Sequence, residues 1–407
     1  MTLFFLLALI SAVVTFGASL VVYKVAHKYR LYPKIRERDV HTRPTPRLGG
    51  VAMFLGIMVA FGVSYLIASQ FAPLRLVFSN PTQILAILGA ALLIVLLGVA
   101  DDLWDLDWMT KLAGQFIAAG LVAWQVQILS LPIGGLTVGS GWMSIVITVM
   151  VIVIVMNMIN FIDGLDGLVA GVALIANGTF FIYSYLLVRD TSPTNYFNLA
   201  SLIAAILVGA CAGFLPLNWR PAKLFMGDTG SMLVGLLMAT SAIAITGQID
   251  PTALNRSQLF PAFIPILLPV AILIIPLLDF GLAVFRRVRA GKSPFSADRK
   301  HLHHRLLDMG HSHLHAVLIF YGWTAAVSIG CLLYFVLPVY LGLPSWYASI
   351  FLVLALLACT IVTLAPLSRR KAAEAATQLT PTQNDPNEAS VGFDPLDAAS
   401  TMTKDNS

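Results

Sequence analysis

Apolar runs of about twenty residues recur along most of this chain, each long enough to cross the hydrocarbon region of a bilayer. Runs this long and this numerous exceed what the core of a soluble domain can bury. The composition agrees, with 58% hydrophobic and only 11% charged residues. The expected fold is all-α, a polytopic integral membrane protein, because within lipid a helix satisfies its own backbone polar groups. Runs bounded by charges, Pro and Gly predict eleven helices, near 2–22, 48–69, 83–100, 112–127, 143–160, 168–187, 198–215, 231–247, 261–285, 316–337 and 345–366.

The first span has neither a basic segment before it nor a small-residue cleavage site, so it is expected to be a retained helix and not a removed signal peptide. Residues 23–47 then carry Lys24, Lys28, Arg30, Lys34, Arg36, Arg38, Arg43 and Arg47, which places that loop in the cytoplasm by the positive-inside rule. Alternation across eleven spans puts 22 of the 25 lysines and arginines on that side, with Arg75, Arg189 and Arg256 outside the pattern. A miscounted helix would mix the two sides. The net charge of +5 therefore reflects topology and anionic lipid, and no nucleic-acid partner is expected. Cys211, Cys331 and Cys359 sit in or beside spans without paired ligand spacing, as packing residues do. Residues 1–366 form the expected transmembrane domain, and 367–407, rich in Ala, Thr, Asn, Asp and Pro, read as a disordered cytoplasmic tail.

Seven aspartates fall in three short polar loops: Asp101, Asp102, Asp105 and Asp107; Asp163 and Asp166; and Asp228. All three loops are cytoplasmic in this topology, although the helix assignment made no use of them. So many carboxylates in so apolar a chain need a positive partner, and a divalent metal holding a phosphorylated substrate is the simplest one.

The first loop closes the third predicted span. A solvated helix end is the plain alternative, yet acids in place of bases at a cytoplasmic helix end run against the usual membrane bias. In the second loop, Asn157 and Asn160 share a helical face, with Asp163 one turn further on, and Gly164 and Gly167 permit a tight turn. Such residues also make ordinary turns, but two amides inside the end of an apolar span are costly without partners. In the third, Phe225-Met226-Gly227-Asp228-Thr229-Gly230-Ser231, the acid and threonine could act as caps alone. The loop also offers an aromatic ring, flanking glycines and helix N-terminal N–H groups suited to phosphate. Hard oxygen donors favour Mg²⁺ or Mn²⁺ over zinc.

A fourth segment supplies positive charge: Arg286-Arg287, Lys292, then Arg299-Lys300-His301-Leu302-His303-His304-Arg305. Arg286 and Arg287 read as topological anchors. The three histidines lie among bases and suit an anionic diphosphate better than a cation. His311, His313 and His315 follow without such context and read as exposed. Asp279, inside the ninth span, is expected in a supporting role, pairing a base of this segment.

The ordered set Asp101-Asp102, Asn157-xx-Asn160-xx-Asp163-Gly-Leu-Asp166, Phe225-xx-Asp228 and His301-Leu302-His303-His304 resembles the polyprenyl-phosphate N-acetylhexosamine-1-phosphate transferases, the glycosyltransferase 4 family. That family includes the MraY-type enzymes of peptidoglycan synthesis and the WecA-type enzymes that start O-antigen, common-antigen or teichoic-acid chains. The resemblance covers residues 34–315. It implies Mg²⁺ or Mn²⁺ held by Asp228 with Asn160, uracil stacked near Phe225, and Asp166 reading the uracil edge. It implies that Asp101 and Asp102 serve the prenyl-phosphate acceptor, with Asp163 among the catalytic acids and Asn157 in support. Lys111, Arg43 and Arg47 match the family's phosphate-side bases, and His301, His303, His304 and Arg305 its sugar or diphosphate ligands. Leu302 interrupts what is a run of three histidines in the MraY group. With Ser293-Pro294-Phe295 upstream, that departure favours the WecA-like branch.

The reaction so implied moves GlcNAc-1-phosphate from UDP-GlcNAc to undecaprenyl phosphate and releases UMP, in a bacterial plasma or inner membrane with the active site cytoplasmic. Membrane lipids surround it, and a homodimer is a compatible assembly. Transfer of phospho-MurNAc-pentapeptide is the nearest alternative. A secondary transporter would place polar groups near the midplane in repeated halves, whereas here the acids gather at one surface and no halves repeat. A lipid-binding scaffold would carry the motifs without turnover.

Overall fold

The computed structural model describes residues 1–30, 45–126, 141–191, 198–246 and 309–379, together with 288–289, 291 and 306. Among them the regular elements are all helices: α1 (Thr2–Lys28), α2 (Gly49–Ile67), α3 (Ala72–Val77), α4 (Pro81–Trp104), α5 (Trp108–Gln125), α6 (Gly141–Ile162), α7 (Leu168–Thr191), α8 (Leu199–Asn218), α9 (Gly227–Thr246), α10 (His313–Tyr340) and α11 (Trp346–Leu379). Ten of the eleven predicted spans coincide with helices, α3 being a short addition between α2 and α4. The span predicted near 261–285, with Asp279, lies outside the described residues. This is a multi-pass membrane protein: nine of the described helices are long and apolar enough to cross a bilayer. The helix α5 has the length but is less apolar, because Lys111, Gln115 and Gln125 interrupt it.

Local sequence explains several boundaries. Asn80 and Pro81 open α4, where a missing N–H costs nothing. Asp107 caps α5, accepting from the backbone N–H groups of Met109 at 3.1 Å and Thr110 at 3.0 Å. Asn198 caps α8 through the Ser201 N–H, 2.7 Å. At the C-terminus, α11 runs past its predicted end at 366, through Arg369, Arg370 and Lys371 to Leu379. The chain divides into two units, Met1–Thr363 and Leu364–Ser407; of the second, the helical stretch to Leu379 is described.

Within the first unit α9 is central. Its apolar window is 94% buried, against 6% for that of α11. It packs on α2, α4, α6 and α8. Glycines set these approaches: a methyl group at Gly50 would collide with the backbone at Gly230, one at Gly98 with Thr229, and one at Gly235 with Met156. Small residues at membrane helix contacts let backbones come close enough for dispersion to act. The same device joins α1 to α8, where Gly209 and Gly213 lie against the Ala8 and Ala12 carbonyls.

Candidate active site

Four helix ends meet at one end of the bundle. The last turn of α4 brings Asp101 and Asp102, the first turn of α5 brings Lys111, the end of α6 brings Asn160 and the turn with Asp163, and the start of α9 brings Asp228. Lys111 Nζ pairs with Asp101 Oδ2 at 2.9 Å and makes a closer contact with Asp228 Oδ2. The other Asp228 oxygen accepts from Asn160 Nδ2, 2.9 Å, which also donates to Ser231 Oγ at 2.9 Å.

Asp102 is turned to a different task. Its Oδ1 accepts from the Asp228 N–H at 3.1 Å, and its Oδ2 from the Thr229 N–H at 3.1 Å and the Thr229 hydroxyl at 2.7 Å. The first orphan donors of α9 are thus capped by a carboxylate from α4, which also suits the positive end of the helix dipole. Asp105 and Asp107 belong to the turn itself. Asp105 ends α4 at φ 54°, and Asp107 caps α5, its carboxyl held below the ordinary range chiefly by the Thr110 hydroxyl.

Asp163 follows α6 in a turn closed by its own N–H donating to the Asn160 carbonyl, 3.2 Å. Burial foremost, then the Asp228 and Asp102 carboxylates, pushes its pKa up to about 8, with Arg47 opposing. Asp166 accepts from the Ala222 N–H at 3.2 Å and lines a recess with Trp219, Arg220, His313, Leu314 and Val317. His313, expected to be exposed, is half-buried there.

Three clips join the loops. Asn218, buried at the end of α8, accepts from the Gly167 N–H at 3.0 Å and donates to the Leu224 carbonyl at 3.0 Å. Tyr321 of α10 donates to the Gly167 carbonyl at 2.5 Å. The Phe225 N–H donates to the Pro46 carbonyl at 2.8 Å, while Gly49 and Gly50 donate to the Phe225 and Met226 carbonyls at 2.9 and 3.0 Å, which brings Arg47 to the site. Gly167 and Gly227 have φ of 76° and 68°, a region glycine occupies without steric penalty.

The structure thus gathers Asp101, Asp102, Lys111, Asn160, Asp163, Asp228 and Arg47, and sets Asp166 and Phe225 on the loops beside them. Asn157 does not reach Asp228; it donates to Gln115 and to the Val153 carbonyl. Arg43, His301, His303, His304, Arg305 and Asp279 lie outside the described residues. Sequence reasoning passed over Gln115, Asn218 and Tyr321. An amide inside an apolar run, the signal that picked out Asn157 and Asn160, would have found the first two; Tyr321 carries no such mark.

Among the described residues, no three acidic, His or Cys side chains form a ready metal cage. The groups that do converge are the carboxylates of Asp101, Asp102, Asp163 and Asp228, the Asn160 amide, whose nitrogen faces Asp228, and the bases Lys111 and Arg47. This set fits Mg²⁺ or Mn²⁺, which bind through one or two carboxylates and complete their shell with substrate phosphates and water. Because the Asn160 nitrogen is engaged, its carbonyl oxygen is the atom left for a cation.

Fold and site together define a helical membrane protein with an acid- and amide-rich centre at one bundle end. The chain belongs to glycosyl transferase family 4, which matches residues 84–246. It is 41% identical over 372 residues to the decaprenyl-phosphate N-acetylglucosaminephosphotransferase of Mycolicibacterium smegmatis, covering 90% of this chain and 89% of that protein. It is 30% identical over 319 residues to the undecaprenyl-phosphate alpha-N-acetylglucosaminyl 1-phosphate transferase of Escherichia coli, covering 76% and 78% of the two chains. A phospho-N-acetylmuramoyl-pentapeptide-transferase of Halalkalibacterium halodurans is 30% identical over 213 residues, covering 49% of this chain and 60% of its own.

Proposed function

We propose that this protein transfers N-acetylglucosamine-1-phosphate from UDP-GlcNAc to a polyprenyl phosphate at the cytoplasmic face of the membrane and releases UMP. The observation that carries the reading is the meeting of Asp101, Lys111, Asn160 and Asp228 from four helix ends, in a chain whose relatives at 41% and 30% identity are named for this kind of transfer. An oxygen of the acceptor phosphate forms a bond to the β-phosphorus of the donor, and the bond from that phosphorus to the bridging oxygen breaks. Both reactants are anions, so the site must offset repulsion and hold them in line. Lys111 and Arg47 supply positive charge. Asp102 and Asn160 fix Asp228 in place, and Asp101 steers Lys111. A divalent cation held by Asp228 and the Asn160 carbonyl would neutralise the diphosphate when bound. The acceptor phosphate is already ionised and attacks directly, without a covalent enzyme intermediate.

Donor choice follows from the sequence His301-Leu302-His303-His304, where Leu302 breaks the histidine run, and from the relatives named for N-acetylglucosamine. Purified protein is to be supplied with labelled UDP-GlcNAc and with decaprenyl or undecaprenyl phosphate. Equal amounts of lipid-linked label and UMP are expected. Uptake of intact UDP-GlcNAc into proteoliposomes with no UMP formed would instead indicate a transporter, and equal turnover of UDP-MurNAc-pentapeptide would overturn the donor assignment.

A further inference from the structure

Gln115 lies one helical turn below Lys111 on α5 and is fully buried. A primary amide sunk into a membrane bundle is costly unless its polar atoms are engaged. Here its carbonyl accepts from Asn157 Nδ2 of α6 at 2.6 Å, and its nitrogen donates to the Met232 sulfur of α9 at 3.1 Å. Sulfur is a weak acceptor, so the second bond returns little of the cost. A methionine of similar shape would fill the same space at no polar expense. The amide is therefore best explained by its partner on α6.

That partner has an alternative. Asn157 also donates to the Val153 carbonyl of its own helix at 2.8 Å, a local bond that would hold it without any help from α5. The bond to Gln115 is made in addition and carries the same amide across the α5–α6 seam. One turn further on, the same two helices present Lys111 and Asn160, each to a different oxygen of Asp228 on α9. The register of α5 against α6 decides whether both can reach one carboxylate. We propose that Gln115 is a positioning residue: by joining Asn157 on α6 and Met232 on α9, it fixes the helix register in which Lys111 and Asn160 converge on Asp228.

This inference rests on the transfer reading above. Wild-type turnover tests that reading, and the variants test only the role of Gln115. Gln115→Met keeps the volume and removes the amide. In the purified full chain it is expected to lower kcat about tenfold or more, with KM for UDP-GlcNAc and for the polyprenyl phosphate within about twofold and thermal stability unchanged or higher. Gln115→Asn shortens the reach and is expected to lose rate likewise, while adding Asn157→Gln restores the span and recovers most of it. A wild-type kcat in Gln115→Met would overturn the proposal, as would a rate loss that only follows loss of folded protein. If Gln115→Met does not fold, the paired exchange decides: recovery of kcat relative to Gln115→Asn supports the role, and no recovery overturns it.

Discussion

Asp228 receives a different partner on each oxygen, Lys111 on one and Asn160 on the other, while its own N–H is held by Asp102. Replacing it with Asn keeps the volume and the backbone contact but removes the charge on which Lys111 and any divalent cation depend. Asp228→Asn should therefore insert and fold yet lose about a hundredfold or more in transfer rate, a loss of roughly 2.7 kcal/mol in transition-state stabilisation. Initial rates alongside helical content in detergent would check it, and near-normal rates with an unchanged cation requirement would refute the assignment. Asp163 behaves in the opposite sense. Its carboxyl keeps a proton up to about 8 in the fold but only to about 3.8 when unfolded, so between those values the folded state binds more protons. The stability contribution is complete below the lower value and is lost as pH rises toward the upper one. Melting temperatures of the ligand-free protein should fall across that window, and Asp163→Asn should flatten the fall; parallel curves for the two proteins would remove the effect from Asp163.

At the scale of elements, the site is as exact as the approach of α4 to α9. Gly98 touches the Thr229 backbone directly, one turn before Asp101 and Asp102. A methyl group there must push α4 away and carry both acids with it. Gly98→Ala is expected to cost about 1–3 kcal/mol of stability by overpacking and to reduce turnover of the folded fraction at least tenfold. Gly17 on α1 has no neighbouring atom within 4 Å of an added methyl, so Gly17→Ala serves as the neutral comparison. Equal melting temperatures and rates for the two variants would show that the contact does not set the geometry. None of this close fit was readable from the residues alone. Periodic glycines in apolar runs mark possible contacts without naming partners, and α9, with a mean hydropathy of 1.5 against 2.7 for α6, looks less buried than it is. The helices themselves were legible, because lipid demands long apolar runs and the flanking charges, prolines and caps end them.

For the whole molecule, apolar runs gave the number of passes, and alternation of charge between them predicted that the three acid loops share one side; the bonds among Asp102, Asp228, Asn160 and Lys111 bring all three together. Charge made that convergence legible. The division of labour within it was not, since an aspartate that binds substrate and one that caps a helix are the same letter: Asp107 caps α5 and Asp102 anchors α9. By sequence, residues 380–407 carry few apolar side chains to dock with. Ending the chain after Leu379 should leave membrane insertion and transfer rate within about twofold of the full chain. A well-inserted truncated protein with lost activity would assign the tail a part in catalysis.

The burial of α9 has a consequence for biogenesis. The ribosome releases α1 through α8 before Gly227 emerges, so the acids of α4 and the amides of α6 await their counterpart during synthesis. The segment that completes the centre is also the one with the lowest mean hydropathy of the nine candidate spans, 1.5. Such a helix gains less from lipid than from protein neighbours, and its natural destination is the groove already formed by α2, α4, α6 and α8. Capture of its first turn by Asp102 would then bring the acids of α4, the amides of α6 and Asp228 together for the first time, before α10 adds the Tyr321 clip to Gly167.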